Sequence, residues 1–108
     1  MEEMKKVTND LAYMFLKRIV TGLRDGSIDV QRAKLLARLF INLEPFNSID
    51  DAKVKMHTFA TQNPHFQELD TYMTAYHEEK KIGQVIDKMR KYMKDNDIDN
   101  ALAVATHP

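Results

Sequence analysis

Leu23-Arg24-Asp25-Gly26-Ser27-Ile28-Asp29 returns 70 positions later as Met93-Lys94-Asp95-Asn96-Asp97-Ile98-Asp99. Both copies carry the chemistry that ends one helix and begins the next. Gly26 and Asn96 are the residue types that tolerate a left-handed backbone just past a helix C-terminus. Asp29 and Asp99 are suited to cap the helix that follows. Ile28 and Ile98 then fall at the position before the cap, where a hydrophobic staple forms. Spaced alanines follow each copy, Ala33 and Ala37 after the first, then Ala101, Ala103 and Ala105 after the second. A chain punctuated in this way is built from helices joined by short turns. The phrase is too short to mark a duplicated domain, and it carries no reaction chemistry.

Apolar spacing between these junctions defines the helices. From about Thr8 to Arg24, Leu11, Ala12, Phe15, Leu16, Ile19, Val20 and Leu23 recur at intervals of three and four. The segment 30–44 is nearly apolar all round, with only Gln31, Lys34, Arg38 and Asn42 forming a polar stripe. Such a helix is expected at the centre of the fold, with Leu36, Leu39 and Phe40 inaccessible to solvent. Pro45 closes it. Ser48 caps a third helix whose stripe is Ile49, Ala52, Met56, Phe59 and Ala60, with Asp50 and Asp51 favourably placed in its first turn. Asn63-Pro64 reads as the N-cap and first residue of a fourth helix carrying Phe66, Leu69, Tyr72, Met73 and Tyr76. The apolar set then moves to Ile82, Val85, Ile86, Met89, Tyr92 and Met93. Val85 lies half a turn from Tyr76 at 100° per residue, so either one long helix rotates its buried face or the chain bends near Gly83, and the bend is the expectation. A short last helix spans about 100–105. No segment alternates as a strand does. The expected architecture is all-α, a single domain over residues 1–108, folded as a compact bundle of four to five helices with helix 30–44 central.

Composition excludes several chemistries. The chain of 108 residues has no cysteine, which removes disulfides, thiolate nucleophiles and Cys-ligated metal centres. Its 16 basic and 16 acidic residues balance, unlike the basic excess of a dedicated nucleic-acid binder. The charge is nonetheless blocked: net +3 over residues 1–43, −5 over 44–79 and +2 over 80–108. That pattern suits either acidic helices beside basic ones or a dipolar surface that orients a partner. No apolar run is long enough for a signal peptide or a membrane span, so a cytoplasmic protein is expected.

No catalytic constellation emerges. Asp95-Asn96-Asp97-Ile98-Asp99 begins like a calcium loop, but position 6 is Asn100 and position 12 is Thr106, where glycine and a bidentate Glu are needed. His57, His65, His77 and His107 form no two-histidine helical pair of the zinc-protease type. His65 and Glu68 are three apart, and His77 precedes Glu78 and Glu79, but such neighbours are common in a charged helical chain. Ser27 and Ser48 both read as turn or cap residues, and Gly22, Gly26 and Gly83 are too scattered to cradle a phosphate. The expectation is therefore a protein that is not an enzyme and uses no cofactor or metal.

Two surfaces remain as candidates. Tyr72, Met73, Tyr76, Ile82 and Met89 would form a contiguous apolar patch if the core leaves them uncovered. A protein partner is expected there, either a second copy or a different chain. Of the seven methionines, Met56, Met73, Met89 and Met93 read as core fillers, and Met4 and Met14 as more exposed. The stretch 80–94 is basic and amphipathic, with Lys81, Lys88, Lys91 and Lys94 on its polar side and one acid, Asp87. It could lie on nucleic acid, or it could be a packed helix whose lysine stems cover apolar surface. The leading expectation is a non-enzymatic protein–protein interaction module or assembly subunit. The alternative is a nucleic-acid-binding regulator using the basic helix.

Overall fold

A computed structural model describes residues 2–106; His107 lies outside them. The described residues are all-α: α1 (Glu2–Asp25), α2 (Val30–Leu43), α3 (Ile49–Gln62), a 3-10 turn (Pro64–Phe66), α4 (Gln67–Lys94) and α5 (Ile98–Thr106). They divide into two compact units, and the boundary falls inside α4 between Thr74 and Ala75.

The first unit is organised by aromatic packing. All five phenylalanines of the chain meet there. Phe15 stacks on Phe40 at 4.4 Å between ring centroids and on Phe66 at 5.1 Å, while Phe59 meets Phe66 at 5.3 Å and Phe46 meets Phe40 at 6.3 Å. These rings join α1, α2, α3 and the 3-10 turn around one interior. Val7, Leu11, Leu36, Ala52, Met56, Leu69 and Met73 complete it, each no more than 2% exposed.

Local chemistry explains where these helices start and stop. The Asp29 carboxylate accepts the Arg32 N–H at 2.7 Å, and the Ser48 hydroxyl accepts the Asp51 N–H at 3.0 Å. Each satisfies a donor that the first helical turn leaves without a partner. Gly26 has φ 81°, the left-handed conformation expected of it. Lys55 of α3 closes the other end of α2: its ammonium donates to the carbonyls of Leu43 at 2.9 Å and Pro45 at 3.1 Å. A cation there also meets the negative end of the α2 dipole.

Several boundaries differ from the sequence reading. α1 begins at Glu2 and not near Thr8, because Val7 continues its buried stripe. Asn63 holds the N-cap position before Pro64, as expected, but the element it opens is a 3-10 turn and its side chain makes no capping bond there. It caps the C-terminus of α3, its Nδ2 donating to the Phe59 carbonyl at 3.0 Å, and its Oδ1 accepts from Arg32 at 2.9 Å. Pro64–Phe66 then form the 3-10 turn, and α4 starts at Gln67. Nor is α2 enclosed on most sides. It buries Leu36 and Phe40, while Leu39 is 41% exposed and Val30, Leu35 and Ile41 more so. Its apolar set is simply wider than the single face its neighbours cover.

The second unit is a helical hairpin made of α4 from Ala75 onward and α5. α4 runs unbroken through Gly83, where the sequence suggested a bend. Glycine weakens a helix by about 1 kcal/mol and does not by itself interrupt one. The rotated apolar face has a different origin: α4 belongs to one unit before Ala75 and to another after it. Asn96, at φ 59°, ends α4 as expected. The Asp97 N–H bonds to the Tyr92 carbonyl at 2.9 Å and the Asn96 N–H to the Met93 carbonyl at 3.0 Å, the two bonds of a Schellman motif. Asp97 then caps α5, its Oδ1 accepting the Asn100 N–H at 3.2 Å. Asp99, the expected cap, lies in the first turn of α5 instead.

Candidate protein-interaction surface

The hairpin has almost no interior of its own. Ala101 is the one buried hydrophobic residue described in it, at 2% exposure. Ile82, Ile86, Tyr92, Met93, Ile98 and Leu102 are all between 38% and 56% exposed. The cause lies in α5, which is nine residues long and faces α4 with small side chains. An alanine at 101 permits close approach but fills little volume. An apolar groove of about 380 Å³ is left beside it, lined by Ile82, Val85, Ile86, Met89 and Ala105, with Glu78 and Lys81 at its rim.

The sequence-predicted patch is thereby divided. Met73 is fully buried in the first unit, which removes it from any surface. Tyr72 is half-buried there, its hydroxyl donating to Asp10 at 2.7 Å. Tyr76 is half-buried and belongs to the second unit. Ile82 and Met89 both line the groove. The patch expected from sequence leaves out Ile86, Met93, Ile98 and Leu102, although Ile82, Ile86, Met89 and Met93 follow a spacing of four, three and four. Met93, expected in the core, is 56% exposed, whereas Met4 and Met14 are half-buried.

Lys81, Lys88, Lys91 and Lys94 are all exposed. They do not form one uniform cationic face. Lys81 borders the apolar groove, whereas Lys88 and Lys91 line a second depression with Tyr92, Val104 and the acidic Asp95. Asp95, Asp97 and Asp99 place negative charge immediately after the basic stretch.

The first unit has its own exposed apolar residues. Tyr13, Leu16, Val20 and Leu23 lie along one side of α1 at 42–69% exposure. Its polar pairs tie helices together. His57 Nδ1 lies 3.1 Å from Asp70 Oδ2, linking α3 to α4, and Arg18 Nη2 lies 3.3 Å from His65 Nδ1, linking α1 to the 3-10 turn. Among the described residues no group of three His, Asp or Glu side chains is placed to hold a metal ion. No helix among them is long and apolar enough to cross a membrane. No family model matches the chain, and no curated protein or solved structure matches it.

Proposed function

We propose that the chain is a non-enzymatic, cytoplasmic protein–protein interaction module or assembly subunit, and that the α4–α5 hairpin is its contact surface. One observation carries this reading: Ile82 and Ile86, 49% and 41% exposed, line an apolar groove of the hairpin, and Tyr92, Met93, Ile98 and Leu102 elsewhere on it are 38–56% exposed, while Ala101 is its one described hydrophobic residue that is buried. Exposed apolar residues are ordinary when scattered; clustered around a concave feature, they mark a surface that another molecule covers. The basic stretch supports a second reading, nucleic-acid binding, because Lys81, Lys88, Lys91 and Lys94 are exposed. Asp95, Asp97 and Asp99 beside them weaken it.

A photo-reactive phenylalanine analogue at Ile86 or Leu102 is expected to give discrete protein adducts in cells. The same group at Val54, exposed on α3, is expected to give none. Adducts at all three positions or at none would overturn the reading. Fluorescence anisotropy with a nucleic-acid duplex tests the alternative. Binding that weakens steeply with salt and is lost in Lys88→Glu would favour it.

A further inference from the structure

We infer that the outer face of α1 and α2 docks on an anionic lipid surface, lying flat in the headgroup region without crossing the bilayer. The face lies wholly in the first unit, so the inference does not depend on the hairpin reading. Three observations carry it. The first is an apolar stripe that the core does not use. Tyr13, Leu16, Val20 and Leu23 follow a spacing of three, four and three on α1 and are 42–69% exposed. At 100° per residue the stripe is turned about 140° from Leu11 and Phe15, which point into the core. On α2, Val30 and Ile41 are 60% and 63% exposed, again away from the buried Leu36 and Phe40.

The second is that these two sides belong together. Asn9 continues the α1 stripe four residues before Tyr13, and with Lys5 it lines a hollow that Glu44 and Pro45, at the end of α2, also line. The stripe is therefore on the α2 side of α1. Arg32 lies about half a turn from Val30 and Ile41 and reaches Asn63 at the end of α3. That direction is towards α3, so Val30 and Ile41 are turned towards α1. The two helices present one apolar face about 15 Å long.

The third is charge, which selects the occupant. Residues 13–43 carry six basic and two acidic side chains, whereas residues 44–74 carry two basic and five acidic. Arg18 is engaged at His65 and Arg32 at Asn63. The other four, Lys17, Arg24, Lys34 and Arg38, are exposed and make no ion pair among the described residues. Lys17 and Arg24 flank the α1 stripe at about 60–80° from its centre, and Lys34 and Arg38 share the Val30–Ile41 side of α2. The two acids, Asp25 and Asp29, accept backbone N–H groups at the α1–α2 turn. An anionic surface attracts the first segment and repels the second, which orients the unit.

An apolar centre with cations along its borders is the pattern of helices that lie in a bilayer interface: the acyl boundary takes the apolar side chains and the lipid phosphates take the cations. Tyr13 suits that depth, because its ring is apolar and its hydroxyl polar. A nucleic acid would satisfy the cations and leave the stripe against water.

Vesicle flotation tests this with the intact chain. Binding is expected to vesicles of equal parts phosphatidylglycerol and phosphatidylcholine, not to phosphatidylcholine alone, and is expected to weaken with salt. Lys17→Gln combined with Arg38→Gln is expected to lower affinity about 10–30-fold, since each cation near such a surface contributes roughly fivefold. Leu16→Gln combined with Val20→Gln is expected to lower it about tenfold, with circular dichroism checking that the helices persist. The chain has no cysteine, so each introduced thiol is the only one. A polarity-sensitive dye on Leu16→Cys is expected to shift to the blue on the mixed vesicles, and the same dye on Val54→Cys or Leu102→Cys is not. A shift at Leu102 without one at Leu16 would move the contact to the hairpin and overturn the proposal. Unchanged binding in the Leu16→Gln, Val20→Gln variant would reduce it to adsorption by charge and overturn docking of the face. Absence of binding to the mixed vesicles at low salt would overturn it too. A discrete protein adduct from a photo-reactive group at Leu16, or duplex binding lost in the Lys17→Gln, Arg38→Gln variant, would in that case name a protein or a nucleic acid as the occupant.

Discussion

Ile28 lies directly on Gly22: its N–H donates to the Gly22 carbonyl at 3.0 Å, and its side chain occupies the space a Cβ at Gly22 would need. The contact fastens the α1–α2 turn onto the last turns of α1, and Ile28 is 2% exposed. Ile98, its counterpart in the repeated phrase, is 47% exposed, so one turn is packed and the other is not.

This makes two glycines opposite in effect. Gly22→Ala is expected to destabilise the protein by about 1–3 kcal/mol, because overlap with a packed Ile28 outweighs the helical preference of alanine. Gly83→Ala meets nothing within 4 Å in an unbroken helix and is expected to stabilise by about 0.5–1 kcal/mol. Urea unfolding of both variants checks the pair; equal signs would contradict it.

Neighbours on α2 are expected to differ as sharply. Phe40, 4% exposed and stacked on Phe15, is expected to cost about 3–5 kcal/mol when replaced by alanine. Leu39→Ala, at 41% exposure, removes only part of a buried side chain and is expected to cost less than half as much. Thermal midpoints of the two variants measured side by side decide this.

Lys55→Met keeps an apolar stem over Phe46 but removes the donor to Leu43 and Pro45. The Leu43 carbonyl, the last of α2, and that of Pro45 then lose a charged partner, at an expected cost of about 1–2 kcal/mol. Hydrogen exchange is expected to rise at the C-terminal turn of α2 more than in α1.

Acid should weaken the first unit in a defined direction. The Asn47 N–H and the Lys55 ammonium hold the Asp51 carboxyl below its ordinary value of 3.8. Lys6 and Tyr72 do the same for Asp10, and Ser27 for Asp25. Each group binds a proton less readily folded than unfolded. Its contribution is therefore complete above about pH 4–5 and is lost as pH falls through the lowered value. Asp51→Asn is expected to flatten the fall in thermal midpoint between about pH 4 and pH 2. An unchanged slope would remove Asp51 from that account.

Legibility in the sequence depended on how many choices a segment had. The α3 stripe of Ile49, Ala52, Met56, Phe59 and Ala60 is buried in full, because that helix has one apolar side. α2 has apolar residues on several sides, and sequence alone does not say which side acquires neighbours. Gly26 and Asn96 were readable because a positive φ is a local requirement. The start of α5 was not, since Asp97 and Asp99 are equally good caps and the Schellman turn decides between them. Asn63 gave no warning of its role: Arg32, its partner, is 31 residues away. The predicted patch spanned residues 72–89 as if both sides of the expected bend shared one surface. The change of unit at Ala75 sends Met73 inward and leaves Ile82 and Met89 at a groove.

The phenylalanine cluster has a consequence for biosynthesis. Its last member is Phe66, so a chain growing from its N-terminus holds every ring of the aromatic core before any residue of the hairpin has been added. Domains generally fold as units in the order they are made. Collapse of the first unit can therefore begin before residues 75–106 are made, and the hairpin is the last part of the described chain to be added.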